Sequence, residues 1–304
     1  MRFSRRVPVK SNSIDSVAFN IIAYLIIITI SVICIFPFLL LISGSFTDNE
    51  SIVRDGYHLI PKVFSLAAYE AVLTFPGKVL RAYGVTIFVT VVGTTLGLFM
   101  MTMAGYVLQR KDFKYRNKLS FYIYFTTLFG GGLVPWYIMI TKYLQLTDTY
   151  AALIFPGLMT PFLIILMRSF IKSSIPEELT ESSKIDGAND FTIYYRVVLP
   201  LAMPGIATVG LFLALHYWNS WFSTSLFIND QDKYELQYFL YNIINTAAAV
   251  SQLGVSTGVS FGQDIPTEST KLAMAMIVTG PILLLYPFVQ RFFVKGLTIG
   301  AVKG

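Results

Sequence analysis

The sequence predicts an all-α, polytopic membrane protein, and three observations carry the prediction. Of the 304 residues 55% are hydrophobic and only 13% are charged, against about 25% charged in ordinary soluble domains. Six apolar runs are each long enough to cross a bilayer, for which about 20 helical residues at ~1.5 Å each suffice. The Lys and Arg gather in alternate connections between those runs, as they do where positive charge is retained on one side of a membrane.

The runs lie at about 17–43, 82–108, 119–141, 151–171, 202–228 and 272–293. The first follows Arg2, Arg5, Arg6 and Lys10, a charged start like that of a signal peptide, but it far exceeds the roughly 7–15 apolar residues of such a peptide. It is read as a retained span. The chain then divides into a tail at 1–16, a six-span membrane domain at 17–294 with a polar connection at 173–200, and a second tail at 295–304. With both termini inside, Arg110, Lys111, Lys114, Arg116 and Lys118, then Arg168, Lys172, Lys184 and Arg196, then Arg291, Lys295 and Lys303 all join the N-terminal cations on the cytoplasmic side, a clear majority of the 23 Lys and Arg. The net charge of +6 is therefore a mark of topology and not a nucleic-acid surface. Cys34 stands alone in the first run, so there is no disulfide framework.

Two outer connections are long. Residues 44–81 include Leu66–Leu73, a plausible short interfacial helix, and 229–271 carry Gly254, Gly258, Gly262 and Pro266 toward their end. Loops of this length either meet an external partner or pack over the bundle. In span three Gly130, Gly131 and Gly132 precede Pro135 near mid-membrane. Such a cluster serves either as a kink beside a cavity or as a close-packing surface of small residues. Span five ends in His216, Tyr217, Trp218, Asn219, Trp221 and Phe222. Aromatic rings with an amide suit the apolar faces and hydroxyls of a sugar, and they equally suit an interfacial belt. Gly131, Gly132, Tyr217, Trp218, Asn219 and Trp221 are thus candidates to line a pathway.

The spans hold no Asp, Glu, Lys or Arg in their central parts. Ion-coupled carriers and proton pumps place ionisable groups there because the chemistry requires charge. Two histidines, His58 and His216, and one cysteine leave no metal, nucleophile or nucleotide-binding constellation. Uphill transport by this chain would need energy from another one.

The segment Glu177–Pro200 is where that energy would enter. Ser174 with Glu177 has capping-box spacing and Pro176 suits a first turn, so a helix is expected from there to Asp186, ended by Gly187. Asp190 would cap a second helix in which Phe191, Tyr194, Tyr195 and Val198 share one face, until Leu199–Pro200 turns the chain into span five. Membrane-surface helices are rich in Lys and Arg. Here Glu177, Glu178, Glu181, Asp186 and Asp190 outnumber the bases, which favours docking against a basic cleft on a soluble protein.

Glu181-Ser182-Ser183-Lys184-Ile185-Asp186-Gly187-Ala188, followed after ten residues by Leu199-Pro200, resembles the EAA coupling motif of permease subunits in bacterial ABC importers. The six spans and the closing Lys295–Gly304 are similar to the carbohydrate-importer family, at the subunit corresponding to the second permease of the maltose importer. Gly131–Pro135 and Met167–Phe170 resemble the branch that handles complex oligosaccharides. The resemblance covers nearly the whole chain from span two onward and implies a type I importer permease fold in the bacterial cytoplasmic membrane. It implies that Glu181 meets an arginine of a separate ATPase, that Gly187 is the turn between two coupling helices, and that Gly300, Lys303 and Gly304 reach the ATPase dimer interface. Ser182 and Ser183 depart from the usual alanines. The implied partners are a second permease, an ATPase dimer, an extracellular binding protein and the bilayer. ATP and magnesium belong to the ATPase, with no cofactor on this chain and no catalysis by it. Two other assignments stand beside this one: an importer permease for a different solute class, and an autonomous channel or membrane enzyme, against which the uncharged membrane interior counts.

Overall fold

The computed structural model describes residues 14–74, 76–257 and 268–283. All regular elements among them are helical. They are α1 (Ile14–Ser45), α2 (Asn49–Asp55), α3 (Ala67–Val72), α4 (Pro76–Gln109), α5 (Arg116–Leu128), α6 (Leu133–Ile138), α7 (Tyr150–Ile154), α8 (Pro161–Ser174), α9 (Glu177–Ile185), α10 (Asp190–Ile193), α11 (Leu199–Leu201), α12 (Met203–Trp218), α13 (Phe222–Phe227), α14 (Leu236–Thr257) and α15 (residues 268–283). The chain forms two compact units, one of the residues up to Ala71 with those of α15 through Met276, the other of the remainder.

In the first unit α1 exposes apolar side chains on every side, Ile22, Ile28 and Ile33 among them. A helix apolar all round has no aqueous face, so its solvent is hydrocarbon. Beyond Ser45 the chain doubles back through an antiparallel bridge between Thr47 and Phe64, with Phe46 stacked on Phe64 at 5.8 Å. Asp48 caps α2 by accepting from the Glu50 and Ser51 amides. The expected short helix at 66–73 is α3, within a residue at each end. The Tyr69 hydroxyl donates to Ser45 Oγ at 2.9 Å and ties it to the end of α1.

In the second unit α4 is the axis. Its 34 residues give a rod of about 51 Å, and Val85, Val89, Gly93, Gly97, Met101 and Gly105 recur every fourth position as its buried stripe. α8 and α12 pack on that stripe. A β-carbon at Gly93 would stand 2.5 Å from the Tyr217 ring, one at Gly97 2.6 Å from Leu213, and one at Gly105 3.0 Å from the backbone of Arg168. In a membrane, helices associate chiefly through such van der Waals contact, which small residues permit.

The described residues hold two single helices long and apolar enough to cross a membrane, Val17–Ser45 and Pro76–Gln109, and three bent pairs that qualify together. The expected span at 119–141 is one of these: α5 and the run Leu133–Tyr143 meet at 114°. The bend falls on Gly130–Gly132, where Gly132 adopts φ +88°. Nothing lies within 4 Å of a β-carbon built at Gly130 or Gly132. Within this chain the cluster is therefore a break, and the close-packing glycines are those of α4. The span at 151–171 bends by 49° between Gly157 and Pro161. The span at 202–228 is shorter than expected: α12 ends at Trp218 and α13 is a separate short helix. The long connection after it contains the 22-residue α14, whose first amide donates to Thr86 Oγ1 of α4 at 2.8 Å. Of the last expected span, residues 272–283 are helical and 284–293 lie outside the described residues.

Gly93→Ile is expected to unseat Tyr217 and cost about 1–3 kcal/mol, the usual range for overpacking, while Gly130→Ala changes nothing. Thermal melts of the detergent-solubilised protein followed by circular dichroism measure both.

Candidate functional site

The 173–200 segment is a two-helix knob. Ser174 is the last residue of α8 and caps nothing; α9 begins directly after Pro176. Glu177 and Glu178 fill its first turn, where the positive end of the helix dipole favours carboxylates. The helix ends as its glycine predicts. Gly187 sits at φ +79°, its amide donates to the Lys184 carbonyl at 3.0 Å, and the Ala188 amide donates to that of Ser183 at 2.9 Å. This pair of bonds is the Schellman closure, for which a residue without a β-carbon is favoured. The two serines of the motif bond back to their own helix, Ser182 and Ser183 both donating to the Leu179 carbonyl, at 3.2 and 2.7 Å.

The second helix departs from expectation in two ways. Its cap is Asn189, whose Oδ1 accepts from the Thr192 amide and hydroxyl at 2.8 Å each; Asp190 is freed for another partner. After α10 the chain widens into a π turn over Tyr194–Val198 and continues through α11. Pro200 lacks the amide that a regular turn would need, and Leu199–Pro200 lies inside the helical run without ending it. The 80° turn into α12 comes at Ala202. The wide turn also changes the phase of the side chains. Tyr194 and Val198 are buried, while Phe191 and Tyr195 are exposed, their rings tilted against each other with centroids 5.4 Å apart. The four therefore do not share one face.

Leu179, Ile185, Phe191 and Tyr195 project outward, Ile185 with 86% of its surface free. Glu181, Ser182, Asp186 and Gly187 are exposed beside them, and Ala188 is half-buried. On the inner side the Tyr194 hydroxyl and Thr102 Oγ1 of α4 share a 2.6 Å hydrogen bond, and the Tyr194 ring lies 5.8 Å from that of Tyr106.

Sequence reasoning missed the turn that follows α4. Arg110 pairs with Asp112 and, at 2.5 Å, with Asp190. Lys184 reaches Asp112 at 2.6 Å, and Lys111 pairs with Glu177. The hydrogen bonds from Arg110 and then Lys184 hold the Asp112 carboxyl well below the usual carboxylate range. Two of the five acids counted toward docking are thus used within the chain. Among the described residues no ion pair engages Glu178, Glu181 or Asp186. The available signal was Asp112 itself, a lone acid in a basic run.

The aromatic group at the end of α12 divides. Tyr217 is only 1% exposed; its ring is wedged against Gly93 and Gly157 and its hydroxyl donates to the Ile154 carbonyl at 2.7 Å. It is a packing residue and lines no pathway. Trp218 Nε1 donates to the Val278 carbonyl at 3.3 Å. Asn219 accepts from Gln237 at 3.3 Å. Trp221 is 43% exposed and lies 5.3 Å from the Tyr241 ring. Gly131 and Gly132 are exposed. Close by, Glu235 is fully buried outside the spans, accepting from Thr224 at 2.5 Å. Burial pushes its carboxyl up to about 7, against hydrogen bonds from Thr224 and Ser220 that pull it down. The candidate residues Gly300, Lys303 and Gly304 lie outside the described residues.

A helical membrane bundle carrying an exposed two-helix knob, with its intramembrane core built from apolar packing, defines a transport subunit that is worked by another protein. The profile of the family described as "Binding-protein-dependent transport system inner membrane component" matches residues 16–299, and the chain belongs to that family: it is a non-catalytic permease subunit of an ATP-driven importer. It is 37% identical over 286 residues to the polygalacturonan/rhamnogalacturonan transport system permease protein YtcP of Bacillus subtilis, covering 94% of this chain and 98% of that one. It is 41% identical over 276 residues to protein LplC of the same organism, covering 90% and 91%. In structure it is similar, at TM-score 0.78 and 25% identity, to a chain in the crystal structure of a bacterial ABC transporter involved in the import of the acidic polysaccharide alginate, covering 96% of this chain and all of that one.

Gly187→Ala is expected to cost about 1–2 kcal/mol, the penalty of a β-carbon in the left-handed region, and Asn189→Ala about 1 kcal/mol through loss of a cap. Hydrogen exchange at the amides of 187–193 measures both as lost protection. Glu235 gives a pH signature. Its folded carboxyl binds a proton up to about 7 and its unfolded one only to 4.5, so stability falls as pH rises across that window and stays low above it. Glu235→Gln is expected to flatten that fall and to raise the melting temperature at pH 8.

Proposed function

We propose that the chain is one of two permease subunits of an importer that moves an oligosaccharide, delivered by an extracellular binding protein, through alternating access. The observation that carries the reading is the knob: Gly187 sets a tight turn, and Glu181, Asp186 and Ile185 stand free around it, a compact surface of charge and apolar contact for a soluble ATPase. In this reading Glu181 meets a cation of the ATPase, ATP and magnesium are held on that partner, and ATPase closure drives the knob toward its counterpart on the second permease. Both termini then lie in the cytoplasm of a bacterial cell, and Gly300, Lys303 and Gly304 approach the ATPase dimer.

The oligosaccharide assignment rests on the names of the relatives, which concern polygalacturonan, rhamnogalacturonan and alginate. Trp218, Asn219 and Trp221, with the exposed break at Gly131 and Gly132, are the positions of this chain offered to a sugar; Tyr217 is withdrawn from that set by its burial. A thermal-shift screen of the companion binding protein against acidic and neutral oligosaccharides, amino acids and phosphate identifies the cargo, and stabilisation by the latter two classes alone would overturn the sugar reading.

Glu181→Lys or Gly187→Pro is expected to abolish uptake while membrane insertion persists. Normal sugar-stimulated ATP hydrolysis by complexes carrying either variant refutes the coupling assignment.

A further inference from the structure

We infer that the short turn Arg110–Asp112 is a brace that makes the knob and α4 move as one rigid body, and that Asp112 is its keystone. The inference rests on the coupling reading above and adds to it residues outside the coupling segment.

The geometry is specific. Each helix of the knob is tied to this one turn at a different point: the start of α9 through Glu177 to Lys111, the end of α9 through Lys184 to Asp112, and the start of α10 through Asp190 to Arg110. Arg110 is the least exposed of the six side chains, at 14%. Its guanidinium carbon lies 5.6 Å from the centroid of the Tyr106 ring on α4, a distance at which a cation is attracted to the ring face. Isolated surface ion pairs hold little, but pairs that share partners in a network are the exception. Here Asp112 joins Arg110 to Lys184, so a single carboxylate links α10 and α9 through the turn. Below it the buried Thr102–Tyr194 hydrogen bond supplies a second attachment to the same helix.

Rigidity is what the coupling reading requires and what the knob alone lacks. α9 has no buried residue, and α10 has one, Ile193. A load applied around Glu181 would rotate so lightly seated a helix unless something else held it. The brace supplies that hold and passes the displacement to α4, the axis on which α8 and α12 pack.

The test uses the complete importer, with its second permease, ATPase and binding protein, reconstituted in liposomes, in a Cys34→Ser background. ATP hydrolysed per sugar taken up is read out, because a defect of assembly lowers both rates together and leaves that ratio unchanged. Asp112→Asn is expected to raise the ratio at least five-fold, and Asp112→Glu to return it to within two-fold of the parent. The double variant Asp112→Cys, Lys184→Cys is expected to be uncoupled when reduced, and to recover when its thiols are joined by a short bifunctional maleimide. An unchanged ratio in Asp112→Asn overturns the brace, and so does arrest of transport by the cross-link, which would show that α9 and the turn must part during the cycle. A parent complex whose ATP hydrolysis ignores the binding protein fells the coupling reading and the brace with it, an outcome visible before any variant is made.

Discussion

The close seating of α8 and α12 on the glycine stripe of α4 is the contact on which the rest of the second unit depends. In lipid there is no aqueous phase for apolar side chains to escape, so helices are held by the number and closeness of atomic contacts. Gly93 and Gly157 accept the Tyr217 ring between them, and the hydroxyl of that ring is satisfied by the Ile154 carbonyl. One side chain thereby joins α12, α4 and the turn after α7. Without the glycines the ring has no seat; without the ring the glycines line a void.

That seating fixes where the knob emerges. α9 follows α8 after only Ile175 and Pro176, and α11 leads into α12 through Ala202. Both ends of the knob are thus continuous with the two helices that pack on α4. The third tie, from the knob to the end of α4 itself, is electrostatic. A segment anchored at three places cannot hinge freely about any one of them, which is the mechanical property a coupling element needs. The knob also exposes apolar side chains, Ile185 and Phe191 in particular, and apolar surface rimmed by polar residues is the kind that protein contacts use.

Much of this was legible in the sequence, because the signals concerned are local. The apolar runs follow from the length of a bilayer crossing, and Gly187 announces its turn because few other residues accept φ +79°. The motif around Glu181 was legible through resemblance. What was not legible depends on partners distant in sequence. Nothing in the neighbourhood of Tyr217 distinguishes a ring that meets sugar from one wedged between Gly93 and Gly157, since the glycines lie some 124 and 60 positions away. The three glycines of 130–132 drew attention as a cluster, whereas the packing glycines of α4 are spaced by whole turns and stand apart in the written sequence. Asp190 looks like a cap because its residue type suits one; Asn189 takes the role one position earlier, and only the location of Arg110 explains why Asp190 is better used elsewhere.

The basic run 110–118 shows how one set of residues answers two constraints. Read as composition, it is the kind of basic run expected on the side of a membrane where positive charge is retained. Read as structure, its first two cations are consumed by Asp112, Asp190 and Glu177, while the knob's Lys184 closes the network from the other side. The acids that made the 173–200 segment look anomalous for a cytoplasmic loop are in part the counter-charges of the neighbouring one. The two connections are therefore complementary, and the surplus negative charge available to a partner is concentrated at Glu178, Glu181 and Asp186, on and after the helix whose outer face the ATPase would meet. A knob presenting all five acids would repel itself and remain loosely seated. One that spends two on its own support is both firmer and more sharply directed.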